Sequence, residues 1–142
     1  MIEQNILKEQ LRTVNQSLFY LMLIILSVLL SFRSVLIQRE QLEGTLAGNP
    51  PKAAADVFPI KLTASALTAG ALGFFFVLAL QNCRDAAQGN DPAAQKSAGM
   101  NVWTSFFALT AALIHLYDLN FMEETQRSLV IENVQPEHTW AE

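Results

Sequence analysis

The residues that could do chemistry in this chain are few. His115 and Asp118 stand three apart, which on a helix puts an imidazole and a carboxylate on one side. That pair suits proton sensing or ion pairing, and with Glu123 or His138 it would make a small metal-ligand set. The pattern lacks a His-Glu-x-x-His helix and paired cysteines, and an interfacial histidine beside an interfacial acid accounts for it without a metal. Cys83, the lone cysteine, precedes Arg84 and has no partner for an intramolecular disulfide. It reads as a small apolar residue, with acylation as the alternative at a membrane edge. No serine, histidine and acid can be assembled into a nucleophilic triad, and the glycines at 44 and 48 lack a phosphate-loop signature. The expectation is a protein that is not an enzyme and carries no cofactor and no metal.

The informative spacing belongs to small and hydroxylated residues. Ser27, Ser31, Ser34 and Gln38 step by four, three and four, so they share one helix face. Ser65, Ala69 and Gly73 form a second stripe, and Ala66 with Gly70 a third beside it. Thr104, Ala108 and Ala112 form a fourth. In an apolar surrounding such rows let helix backbones approach and let hydroxyls bond across the contact. For the serines the simpler alternative is a bond from each hydroxyl to its own upstream carbonyl. These eleven positions, Gln38 apart, are the candidate helix-packing site, with His115 and Asp118 as a candidate interfacial polar pair.

The elements that must position these rows are three oily segments. Residues 18–32 contain no charge and no helix breaker, and no face of a helix built from them would be polar. Residues 62–83 and 97–117 likewise hold no Asp, Glu, Lys or Arg. The second and third runs are each long enough to cross a bilayer, and the first becomes so with the uncharged residues 13–17 that precede it. Hydrophobic residues make up 51 % of 142, and charged residues only 15 %, so the charges crowd into the connecting segments. The first run follows seventeen mostly polar residues and lacks a small-residue cleavage site, so it reads as an anchor and not a cleaved signal. The expected fold is all-α: an integral membrane protein with three transmembrane helices in one domain, over residues 1–142.

The flanks extend the first helix. Leu7, Leu11, Val14, Leu18, Leu21, Ile25, Val28, Phe32 and Val35 step by four and three throughout, Arg39 interrupts, and Leu42 resumes. That is a heptad seam of the coiled-coil kind, and it predicts one long helix over about 2–43 whose ends project beyond the lipid. Gly44 to Phe58, rich in Gly and Pro, predicts a linker, with one helical turn at Ala53-Ala54-Ala55. Pro59 suits the start of a second helix over about 59–84. Gly89-Asn90-Asp91-Pro92 predicts a turn, with Asp91 capping a third helix over about 92–122. The short turn implies that the second and third helices form an antiparallel hairpin. Residues 123–142 read as an acidic tail, with Pro136 ending any helix in it.

Orientation rests on few charges. Around the first helix, Lys8 and Arg12 precede the span, while Arg33, Arg39, Lys52 and Lys61 follow it. The positive-inside rule then expects an external N-terminus and a cytoplasmic C-terminus, with a bacterial inner (plasma) membrane as the setting. The net charge of −4 argues against nucleic acid as a partner. Membrane lipid, other membrane-protein subunits or further copies of the chain are the expected partners. Packing surface in excess of chemistry suggests a non-catalytic small membrane subunit, or accessory or scaffold protein, of a larger membrane complex. The alternatives are a self-assembling, holin-like pore-former and a small channel or transporter lined by the serine row.

Overall fold

The computed structural model describes residues 1–49 and 56–134. The helical turn expected at 53–55 and the tail residues 135–142, His138 included, lie outside the described residues. Among those described, all regular structure is helical: α1 spans Ile2–Leu46, α2 Phe58–Gln88 and α3 Pro92–Val134. All three are long and apolar enough to cross a membrane.

The helix boundaries follow from local chemistry. Gly48 adopts φ +76, a left-handed conformation that closes α1. The N–H groups of Ala47, Gly48 and Asn49 bond back to the carbonyls of Glu43, Thr45 and Gly44. Asp56 accepts the Phe58 N–H at 3.0 Å, with Pro59 next in the first turn of α2. Asp91 does the same for Ala93 at 3.0 Å, with Pro92 opening α3. The turn between them is tied by Gln95, whose Nε2 donates to the Gly89 carbonyl at 2.9 Å.

All three helices run past their expected ends, α1 to Leu46 instead of 43 and α2 to Gln88 instead of 84, and α3 departs most. α3 does not give way to an acidic tail at residue 123 but continues to Val134. Residues 123–134 hold no Gly or Pro, and Glu123 pairs with Arg127 at 3.0 Å one turn on. The helix reaches the last described residue, Val134. At about 1.5 Å per residue, α1 and α3 are about 65 Å long and α2 is about 47 Å.

The layers are simple. α2 packs against α1 on one side and α3 on the other, and α1 and α3 have no close backbone approach to each other. Ser27 meets Thr68, and Tyr20 stacks on Phe74, so α1 is followed downward as α2 is followed upward. Phe76 meets Phe106, and Lys61 shares a hollow with Leu119 and Glu123. Stepping along equal helical rises from these contacts sets the three charge-free runs, 13–32, 62–83 and 97–117, side by side. Arg12, Arg84 and Lys96 bound them at one end; Arg33, Lys61 and Asp118 bound them at the other. The same register carries residues 38–46 of α1 and 124–134 of α3 past the start of α2 as two prongs.

Candidate helix-packing site

The buried residues among those described are all alanine or serine: Ser27, Ser34, Ala64, Ser65, Ala69, Ala71 and Ala79. Leucine, isoleucine and phenylalanine lie outside or are half-covered. The contacts are therefore made by small side chains, which is the condition for close helix approach.

On α1 the inward line is Thr13, Ser17, Tyr20, Ile24, Ser27, Ser34, Gln38 and Gln41. Ser27 and Ser34, at 3 % and 2 % exposure, are its fully covered members. The Ser27 hydroxyl lies 2.7 Å from that of Thr68. Ser27 Oγ is also 2.8 Å from the Ile24 carbonyl, and Thr68 Oγ1 is 3.0 Å from that of Ala64. Each hydroxyl has one hydrogen, so two of these three bonds form at a time. When the bond between them forms, one hydroxyl donates to the other and the acceptor donates to its own upstream carbonyl, so no buried polar atom is stranded. Ser34 donates to the Ser31 carbonyl at 2.8 Å, and Ser31 to that of Ser27 at 2.9 Å. Ser31 itself is exposed. The row thus combines both chemistries expected of it: local back-bonding at each serine, and one bond across to α2.

The two stripes on α2 part company. Ser65 and Ala69 are buried. Heptad steps from Phe76, which touches Phe106 of α3, run back through Leu72, Ala69 and Ser65, so this row faces α3. Steps from Thr68 run through Ala64 and Ala71 toward α1. Ala66 and Gly70 fall on neither row and are exposed. A Cβ built on Gly70 or on Gly73 would meet no atom within 4 Å, so neither glycine is needed for contacts inside the chain. On α3 the inward line is Ala98, Val102, Ser105, Leu109, Ala112, Leu116 and Leu119, again at heptad spacing and all half-buried. Ala112 belongs to it and Ala108 borders it, while Thr104 is exposed and donates to the Met100 carbonyl at 3.0 Å.

Thr68, Tyr20, Phe74 and Ala71 complete the contact and were not among the positions expected from sequence. Tyr20 and Phe74 stack with ring centroids 4.0 Å apart and planes 12° from parallel. The signal for Tyr20 is available in the sequence, since it lies seven residues before Ser27 on the same row.

The ionisable candidates stay apart from this packing. His115 and Asp118 are exposed, and no hydrogen bond or ion pair joins them. Among the described residues no cluster of three metal-ligating side chains occurs. Cys83 is half-buried with a free thiol. Arg33 is exposed at the edge of the charge-free band, where a long side chain reaches polar surroundings.

The seam of α1 faces elsewhere. Leu7, Leu11, Val14, Leu18, Leu21, Ile25, Val28, Phe32, Val35 and Leu42 are all exposed. They lie one residue, about 100°, round the helix from the inward line. No family model, curated protein or solved structure matches the chain.

Proposed function

We propose that the protein is a small integral membrane subunit, without catalysis, that holds a larger assembly together through helix packing. The observation that carries this reading is the inverted distribution of side chains across a charge-free band. Small residues fill the interior, while Phe19, Met22, Leu26, Leu29, Phe107 and Ile114 cover the exterior. A water-soluble helical protein sorts them the other way. Aligned between charged collars, the three bands measure about 30–33 Å, the thickness of a bilayer's hydrocarbon. In that solvent α2 and α3 form an antiparallel hairpin, and α1 lies antiparallel on the other side of α2.

Support for an accessory role is the surface left over. α1 keeps an entire apolar seam, and α2 keeps the Ala66–Gly70 notch, after the chain has made its own contacts. The acidic and basic groups, His115 near the end of the third band apart, lie in the collars and prongs, where they can meet partner domains but not a buried substrate. The polar row that would have lined a channel is covered by α2 at Ser27 and Ser34. A pore would therefore need several copies, as in the holin-like alternative.

Purification in mild detergent, followed by mass spectrometry, is the test. A second polypeptide in constant ratio is expected. A particle containing this chain alone ends the subunit reading, and membrane leakage on induction would favour the pore-former. We also propose an external N-terminus and a cytoplasmic C-terminus in a bacterial inner membrane, on the arginines and lysines that follow the first band. A reporter fused after Glu142 that is active only outside would reverse that orientation.

A further inference from the structure

We infer that two copies of this chain pair through their α1 helices, in parallel, along the exposed heptad seam. The inference rests on the membrane reading above and goes beyond it by naming the occupant.

The seam runs from Leu7 to Leu42, broken only at Arg39, and α1 is one uninterrupted helix over that length. Lipid covers only its middle. Leu7 and Leu11 precede Arg12, and Leu42 follows Arg39, so both ends stand in water. Leu11 is 61 % exposed and Leu42 66 % exposed, among polar neighbours. Residues 1–12 touch neither α2 nor α3 enough to cover any side chain, so nothing within the chain competes for that end. An apolar stripe kept in phase through both flanks needs a straight partner at least as long.

The charges favour a second α1 as that partner. Copies inserted with the same orientation present their α1 helices parallel. In heptad terms Leu11, Leu18, Ile25, Phe32 and Arg39 occupy a, and Leu7, Val14, Leu21, Val28, Val35 and Leu42 occupy d. Glu3 then falls at g and Lys8 at e, five residues on, which is the spacing that joins two parallel helices by opposite charges. Symmetry forms this pair twice. Glu3 and Lys8 are both exposed in the single chain, and among the described residues neither takes part in an ion pair. Arg39, the one charged residue in the seam, sits in the aqueous flank beside Glu43, at 2.8 Å. A lone basic residue at a fixes register and copy number while weakening the pair. The opposite side of the helix, at Glu9 and Gln16, carries no such stripe.

Cysteine cross-linking of the full chain in native membranes tests the geometry, in a Cys83→Ala background. Leu11→Cys, Val14→Cys and Leu42→Cys should each give a disulfide-linked dimer on oxidation, and Glu9→Cys should give none. Homotypic bonds at these positions form only between parallel helices in register. Equal cross-linking at Glu9→Cys, or none at the seam, overturns the proposal; none at the seam is also the result if lipid or another protein covers it. Glu3→Lys should lower the dimer yield by roughly two- to five-fold, and adding Lys8→Glu should restore it. Failure of the double exchange to restore it removes the parallel pairing. Arg39→Leu should raise the yield; a fall would remove the assigned register. A constant second polypeptide without seam cross-links leaves the subunit reading intact and ends this one, and cross-links in a chain that purifies with nothing else do the reverse.

Discussion

The two faces of α1 are built on opposite principles although they share a period. The inward face is polar and small, with Ser27, Ser34, Thr13, Ser17, Gln38 and Gln41. The face one residue round is leucine, isoleucine, valine and phenylalanine, and its members are all exposed. In water the second face would be buried first, because burial of large apolar side chains is the main source of stability. In lipid that driving force vanishes, since a leucine is as well solvated outside as inside. What remains is close packing and the need of hydroxyls for partners, and both favour the serine face. On the proposed membrane reading, the solvent, more than the hydrophobicity of a face, decides which one packs.

The largest test of that contrast is volume. Ala71 is fully covered in α2, between the flanking helices, and Ser34 is 2 % exposed on α1. Ala71→Leu or Ser34→Leu should lower the unfolding free energy in detergent by about 1–3 kcal/mol, by forcing packed backbones apart. The same enlargement on the outer face, Val28→Leu, should leave it unchanged, because that side chain is 61 % exposed. Equal losses at both faces would mean that the seam packs within the chain after all.

Next comes the aromatic contact. Phe74→Ala removes the ring stacked on Tyr20 and should cost about 0.5–1.5 kcal/mol beyond the lost contact area. Thermal unfolding followed by tyrosine fluorescence would report it.

The hydroxyl bond should count for less than its burial suggests. Thr68→Val keeps the shape and deletes the partner of Ser27, which can still donate to the Ile24 carbonyl at 2.8 Å. A loss of about 0.6 kcal/mol is expected, typical of interhelical bonds in membranes. Ser27→Ala, which removes this hydroxyl without enlarging the site and leaves Thr68 free to bond Ala64, should cost a similar amount.

The smallest effect on the chain itself should come from Gly70→Leu. The site is exposed and a Cβ there meets no neighbour, so stability should hold within about 0.5 kcal/mol. Co-purification of a second polypeptide should nevertheless weaken if the Ala66–Gly70 notch receives one of its helices. Unchanged co-purification would assign the notch to lipid.

Much of the architecture was legible in the residues because its causes are local. The charge-free runs, Pro59 in the first turn of α2, Asp91 capping α3 and Gly48 closing α1 each act within a turn or two of chain. The end of α3 departs from the expectation for a related reason. Acidic composition suggested a tail, but helix formation there depends on the lack of breakers before Pro136 and on the Glu123–Arg127 pair. The packing rows were legible only as sets. Ser65, Ala69 and Gly73 cannot be told from Ala66 and Gly70 by spacing, nor the serine row of α1 from its leucine seam.

Sequence alone therefore determined that this chain makes three long helices, where each begins, and which positions were small enough to admit a neighbour. Tertiary structure alone decided that α2 stands in the middle, that Thr68 answers Ser27, and that the charged collars fall level. The reason is geometric: a helix repeats every 3.6 residues, so several faces offer the same spacing, and only the placement of the other helices selects among them.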